Sequence, residues 1–197
     1  MNKLVFATNN QNKVEEIRSI ISGQFDVVSL KEAGIDIDIP EPHNTLEENA
    51  SEKSQTIYRL TGENCFSEDT GLETEALHGE PGVKSARYAG EGKSMNDNIE
   101  KLLKALHRFE NRKARFRTVI SAIINGKEQL FSGTCEGYIG FEPKGLNGFG
   151  YDSIFIPVGD TRTFAEMSLE DKNRFSHRKK AVAQFLEFLS QDGNRMY

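Results

Sequence analysis

Lys3-Leu4-Val5-Phe6-Ala7-Thr8, then Asn9-Asn10-Gln11-Asn12, then Lys13 leading into Val14, Ile17, Ile20 and Ile21: this opening stretch decides the fold. The first six residues form a short, nearly continuous apolar run, the pattern of a strand covered on both faces. The four apolar residues after Lys13 recur at helical spacing and mark one buried helix face. Strand, polar loop, helix is the opening of an α/β unit. It puts free backbone N–H groups and the positive end of a helix dipole at the carboxyl edge of a sheet, where anions bind. Lys13 adds charge at that edge, and asparagine tolerates the left-handed backbone that turns N–H groups inward. The glycines of a Walker A or dinucleotide fingerprint are missing.

The remaining segments extend this alternation. Asp26 to Leu30 reads as a second strand, and Ile35-Asp36-Ile37-Asp38-Ile39 alternates at period two. Thr45-Leu46-Glu47-Glu48 matches a capping box, so a helix is expected from Leu46 to Leu60 with Leu46, Ala50, Ile57 and Leu60 buried. Ser94-Met95-Asn96-Asp97 caps a further helix striped by Ile99, Leu102, Leu103, Leu106 and Phe109. Arg115 to Ile124, Asn125-Gly126 and Gln129 to Cys135 read as strand, two-residue turn and partner strand. Ser168 caps a short helix carrying Lys172, and Ser176-His177-Arg178 opens a last helix with Ala181, Val182, Phe185, Leu186 and Leu189 inward. The whole chain is expected to be one α/β domain, residues 1–197.

Bulk properties exclude several classes. The 197 residues carry 30 acidic and 25 basic side chains, a net charge of −5. That balance argues against a general nucleic-acid or membrane-surface binder, so an anionic ligand needs a local basic pocket or a metal. No apolar run approaches the roughly 18 residues of a membrane span, and no signal-peptide pattern follows Met1-Asn2-Lys3, which points to the cytoplasm. Cys65 and Cys135 are too few for a disulfide framework and read as buried free thiols.

Chemistry concentrates at Ser67-Glu68-Asp69-Thr70-Gly71-Leu72. Successive residues on a strand point to opposite sides, so one acid would enter a site and the other its support. Their repulsion calls for a cation. A hard divalent ion such as Mg²⁺ suits phosphate chemistry, because it takes oxygen ligands and bridges to substrate oxygens. Glu41, held stiffly between Pro40 and Pro42, is a second candidate ligand. Five glycines between Gly71 and Gly92 bend the chain tightly. There Ser85, Arg87 and Tyr88 either face a ligand or decorate the loop. In Asn147-Gly148-Phe149-Gly150-Tyr151-Asp152 the glycines allow close approach, and the two aromatic rings offer faces for stacking a base.

Phe6 to Lys13, Glu68 to Leu72 and Gly79 to Tyr88 together resemble the Ham1-like inosine triphosphatase family, pyrophosphatases acting on non-standard purine nucleotides such as ITP, dITP and XTP. The resemblance extends over essentially the whole chain. It implies a long, twisted mixed sheet flanked by helices, two lobes with a central substrate cleft, and a homodimer. It implies that Thr8, Asn9, Asn10, Gln11, Asn12, Lys13 and Lys172 cradle the triphosphate, and that Thr70 also binds substrate. Phe149, Gly150, Tyr151 and Asp152 would hold the base and sugar, and Lys172, His177 and Arg178 would contact the 6-oxo purine and the phosphates. Glu41 and Asp69 would bind Mg²⁺, with Glu68 as third ligand or support, and Asp69 would also orient or deprotonate the attacking water. The sequence departs from the family pattern at Asn9, often glycine, at Glu68, often aspartate, and at Ser153, often proline. None of these removes a catalytic group. The rivals are a nucleotide sensor without catalysis, a Maf-like pyrophosphatase for modified pyrimidine nucleotides, and a thiol-based redox protein, the last disfavoured by cysteine spacing.

Overall fold

A computed structural model describes residues 2–21, 23 and 25–191; Met1 and residues 192–197 of the expected single domain lie outside that set. In chain order the elements are β1 (Lys3–Phe6), α1 (Gln11–Ile21), β2 (Asp26–Ser29), α2 (Leu46–Thr61), β3 (Cys65–Thr74), β4 (Pro81–Gly82), α3 (Met95–Leu106), β5 (Lys113–Ile124), β6 (Lys127–Ile139), β7 (Phe155–Pro157), α4 (Leu169–Phe175) and α5 (His177–Ser190). The strands form a seven-stranded mixed sheet. β1 pairs in parallel with β2 and with β3, whereas β3–β4 and β6–β7 are antiparallel. The α/β class with a mixed sheet and flanking helices is as the sequence implied.

The chain divides into two compact units, each built from separate segments. Residues 1–69, 118–133 and 178–197 make the first; residues 70–117 and 134–177 make the second. The long strands β3, β5 and β6 contribute to both.

In the first unit the strand order is β2-β1-β3-β5-β6. Period-two alternation sorts its side chains into two cores. Leu4, Phe6, Phe66, Ile120, Ala122 and Ile124 pack with Val14, Ile17 and Ile21 of α1 and with Ala181, Val182, Phe185 and Leu189 of α5. Val5, Ala7, Cys65 and Ile123 face the other way, with Ile57 of α2. The rings of Phe6 and Phe66 stack at 4.4 Å between centroids, on neighbouring parallel strands. Residues 35–39 form no strand: Ile35, Ile37 and Ile39 pack on the α2-side core, so the alternation reports one inward face and not a place in the sheet. α2 begins at Leu46 as expected, its cap Thr45 accepting from the Glu48 amide at 3.2 Å. Its buried face takes in Asn49, Lys53 and Ser54, while Leu60 is exposed.

In the second unit β4 lies beside β3, followed by β5, β6 and β7. Its core gathers Leu72, Ile99, Leu102, Leu106, Phe116, Ile154, Phe155 and Phe164. The Ser94–Asp97 capping box starts α3, and the helix ends at Leu106, leaving Phe109 beyond it and exposed. A Cβ on Gly71 would come 2.7 Å from the Gly82 carbonyl oxygen, so this β3–β4 contact requires glycine. Back in the first unit, the turn between β5 and β6 is Asn125-Gly126 with φ of 50° and 78°, the left-handed pair that a two-residue hairpin requires. Cys65 and Cys135 are buried thiols outside any disulfide, one in each unit.

Candidate active site

β3 sends its two adjacent carboxylates to opposite faces of the first unit, and each face supplies a different cation. Glu68 points to the α1–α5 side. There Arg178, fully buried on α5, donates Nε to one of its oxygens and Nη2 to the other, each at 2.7 Å. The same guanidinium pairs with Glu16 of α1, and Lys13 Nζ stands 3.1 Å from Glu68. Burial alone would raise the Glu68 carboxyl; Arg178 and Lys13 outweigh it and hold the group well below the usual carboxylate range.

Asp69 points to the α2 side. Lys53 Nζ lies 3.6 Å from its Oδ1 and also ion-pairs with Glu41, bringing two distant acids onto one ammonium. Burial pushes the Asp69 carboxyl up; the attraction of Lys53 does not fully offset it, and the nearby Glu41 adds to the rise. An elevated carboxylate beside a second acid is the electrostatic signature of a group tuned for proton or metal chemistry.

The donor set fits a hard divalent ion. Glu41 and Asp69 offer carboxylate oxygens that already converge on a cation, the ammonium of Lys53. Among the described residues no cluster of three or more His, Cys, Asp or Glu side chains is placed to hold a metal. Two carboxylates, with the remaining positions left to water and phosphate oxygens, suit Mg²⁺. Glu68 is held by Arg178 and Lys13 on the opposite face of β3.

The loop from Thr8 to Asn12 is fixed by its own polar groups. Thr8 Oγ1 accepts from the Asn10 amide at 3.1 Å, and Asn10 Oδ1 caps α1 by accepting from the Lys13 amide at 3.2 Å. Asn9 Nδ2 donates to the Ile37 carbonyl at 3.1 Å, which ties the loop to the segment preceding Glu41. Among the described residues only His78 and Asn125 are non-glycine with positive φ, so these asparagines do not use the left-handed backbone expected of them. The helix starts at Gln11, two residues before Lys13, which places Lys13 in its first turn.

In the second unit Lys172 of α4 donates to Asp152 Oδ2 at 2.6 Å, both side chains being buried. The same Oδ2 accepts from the Phe149 amide at 2.9 Å. Lys172 Nζ sits 5.4 Å from the Phe149 ring centre and 5.3 Å from that of Phe164, within cation–π range. Gly148 and Gly150 take φ of 75° and 61°, closing the turn that carries Phe149. His177 stacks on Phe116 at 4.7 Å. Tyr151 does not present a stacking face: it is buried in the core, its hydroxyl donating to the Ser85 carbonyl at 2.8 Å. Ser85 itself receives the Leu72 amide at 2.9 Å, so this residue braces β3 and does not decorate the loop.

The Ham1 family model matches residues 4–188. The chain belongs to the Ham1 family. Ham1-family relatives include the dITP/XTP pyrophosphatase of Porphyromonas gingivalis, 50% identical over 190 residues and covering 96% of this chain and 98% of that one. That of Flavobacterium johnsoniae is 48% identical over 188 residues, covering 95% and 98%. Among solved structures, the Ham1 protein of Staphylococcus aureus aligns with a TM-score of 0.85 at 40% identity, covering 95% and 98%. The HAM1 protein of Coxiella burnetii aligns with a TM-score of 0.87 at 35% identity, covering 96% and 99%.

Two residues of these buried ion-pair networks were not legible in the sequence. Lys53 sits on an amphipathic helix among Glu52, Ser54 and Gln55, where a lysine reads as solvated. Glu16 follows Glu15 on α1 and reads as part of a charged outer face, yet it is buried against Arg178. The one signal for either was periodicity: Lys53 falls three residues after Ala50, and Glu16 two after Val14 and one before Ile17.

Proposed function

We propose that this protein is a nucleoside triphosphate pyrophosphatase that converts ITP, dITP and XTP to the monophosphate and pyrophosphate, using Mg²⁺. The observation that carries the reading is the convergence of Glu41 and Asp69 on one cation, on the β3 face opposite the Lys13-bearing support. The names of the relatives agree with the substrate class.

Cleaving the α–β anhydride requires neutralised phosphate charge and an aligned water. A divalent ion held by Glu41 and Asp69 would supply Lewis-acid polarisation. Asp69, whose burial favours the protonated form, is suited to take a proton from the attacking water at a carboxylate oxygen. Lys13 and the α1 amides offer positive charge to phosphate oxygens, and Arg178 keeps Glu68, and through it Lys13, in place. In the second unit Phe149 offers a ring to the base. The buried Lys172 ammonium, fixed by Asp152, and nearby amides give donors for a 6-oxo purine; adenine's amino group would meet the same donors unfavourably. A cytoplasmic homodimer completes the reading, supported by the sequence resemblance; no helix among the described residues is long and apolar enough to cross a membrane.

Turnover of ITP, dITP, XTP, dUTP, modified pyrimidine triphosphates, GTP and ATP, with and without Mg²⁺ and with separate detection of pyrophosphate and phosphate, tests this. Release of pyrophosphate from ITP and XTP at rates far above ATP is expected. Preference for pyrimidines, or release of orthophosphate, would refute it.

A further inference from the structure

We propose that Lys53 is a resident cation of the Glu41–Asp69 pair, which a divalent ion must displace before it can bind. Lys53 would then act as a positioning residue that couples metal entry to arrival of the phosphates. The inference rests on the metal reading given above and goes beyond it.

The argument starts from α2. Lys53 lies on the buried face of this helix, between Ala50 and Ile57, and its side chain is 9% exposed. A lysine is rarely placed there without a partner, because desolvating an ammonium costs several kcal/mol unless carboxylates compensate. Its partners are Glu41 from the segment after β2 and Asp69 from β3. They are the acids whose oxygens suit a hard metal. An ammonium and a divalent ion cannot both occupy the point where those oxygens converge, since they would repel each other in a poorly screened site. Leaving Glu41 and Asp69 together without a cation would be worse, because two carboxylates that share one site repel each other.

Lys53 therefore stabilises the metal-free site and competes with metal for it. Its four-carbon stem lets the head move without disturbing the helix. Once displaced, the ammonium needs a new anion, and triphosphate oxygens are the anion that the reaction brings. Metal and nucleotide should consequently assist each other's binding, with Lys53 transmitting part of that coupling.

Mn²⁺ binding to the full chain, followed by electron paramagnetic resonance without nucleotide, tests the proposal. Lys53→Met is expected to bind Mn²⁺ about tenfold or more tighter than the unmodified protein, as removal of one adjacent positive charge from a buried site implies. Lys53→Arg keeps the cation and should show no such gain. Lys13→Met removes an equal charge from the Glu68 side and should alter Mn²⁺ affinity far less than Lys53→Met does. Should Lys53→Met fold poorly, Lys53→Gln serves, with the rise in melting temperature on Mn²⁺ addition as a second readout. Equal Mn²⁺ affinity in the unmodified protein and both neutral variants would overturn the displacement while leaving the metal reading intact. Absence of Mn²⁺ binding in all of them, with or without a non-hydrolysable ITP analogue, would overturn both.

Discussion

Arg178 grips Glu68 through two parallel bonds, Nε and Nη2 each 2.7 Å from a separate carboxylate oxygen, while its remaining nitrogen meets Glu16. The helix that bears Arg178 and the strand that bears Glu68 are 110 residues apart in sequence. A planar guanidinium matches a carboxylate in a way that lysine cannot, so this site favours arginine specifically.

Removing one member of that network strands the others. Arg178→Met should cost about 3–5 kcal/mol in urea unfolding, since two buried carboxylates lose their compensating charge. Lys13→Met, a partly exposed partner of the same Glu68, should cost under about 1 kcal/mol while weakening ITP binding. Equal and small losses for both would show that the network is not a structural keystone.

Asp69→Asn separates activity from stability. Turnover should fall by about 10²–10⁴ with loss of the proton acceptor. The folded state raises the Asp69 pKa, so its favourable contribution is complete below the unfolded value of 3.8 and is lost as pH climbs through the folded value. Ionising the buried group thus costs the fold stability. Removing its charge should raise the melting temperature by about 2–4 °C for each 1 kcal/mol relieved. An inactive variant with a lowered melting temperature would contradict this.

Phe149 and Lys172 should divide affinity from selectivity. Phe149→Ala is expected to weaken ITP and ATP together, by about 1–3 kcal/mol of stacking. Lys172→Met, which strands the buried Asp152, should narrow the ITP-to-ATP ratio of kcat/KM. Competition binding and steady-state kinetics on both nucleotides distinguish the two.

Burial pushes the Cys65 thiol up to about 12, from an ordinary value near 9. The unfolded chain therefore loses that proton first, and the stability it contributes, complete below pH 9, declines between pH 9 and 12. The unfolding free energy of the native protein minus that of Cys65→Ala should shrink over this interval. Cys65 should also resist thiol reagents at pH 8. Rapid labelling under native conditions would count against a closed core.

What could be read from residues alone was set by local chemistry. The βα opening, the caps at Thr45, Ser94 and Ser168, the Asn125-Gly126 turn and the α5 stripe each obey rules acting within a few residues, and each formed as expected. The alternation of Glu68 and Asp69 was legible for the same reason. What each acid would face was not, because Arg178, Lys53 and Glu41 arrive from remote segments. Ile35 to Ile39 carried a strand's pattern but joined no β-ladder, and the Tyr151 ring was spent on packing that no short-range rule foretells.

The first unit closes only with α5, the last helix described, whose Phe185 tilts onto Phe66 at 5.5 Å and whose first turn carries Arg178. During synthesis the acids of β3 therefore emerge from the ribosome more than a hundred residues ahead of their guanidinium. Until that helix arrives, Glu68 has no Arg178, and the aromatic pair of β1 and β3 lacks its lid. A nascent chain stalled before α5 should be a chaperone client without pyrophosphatase activity.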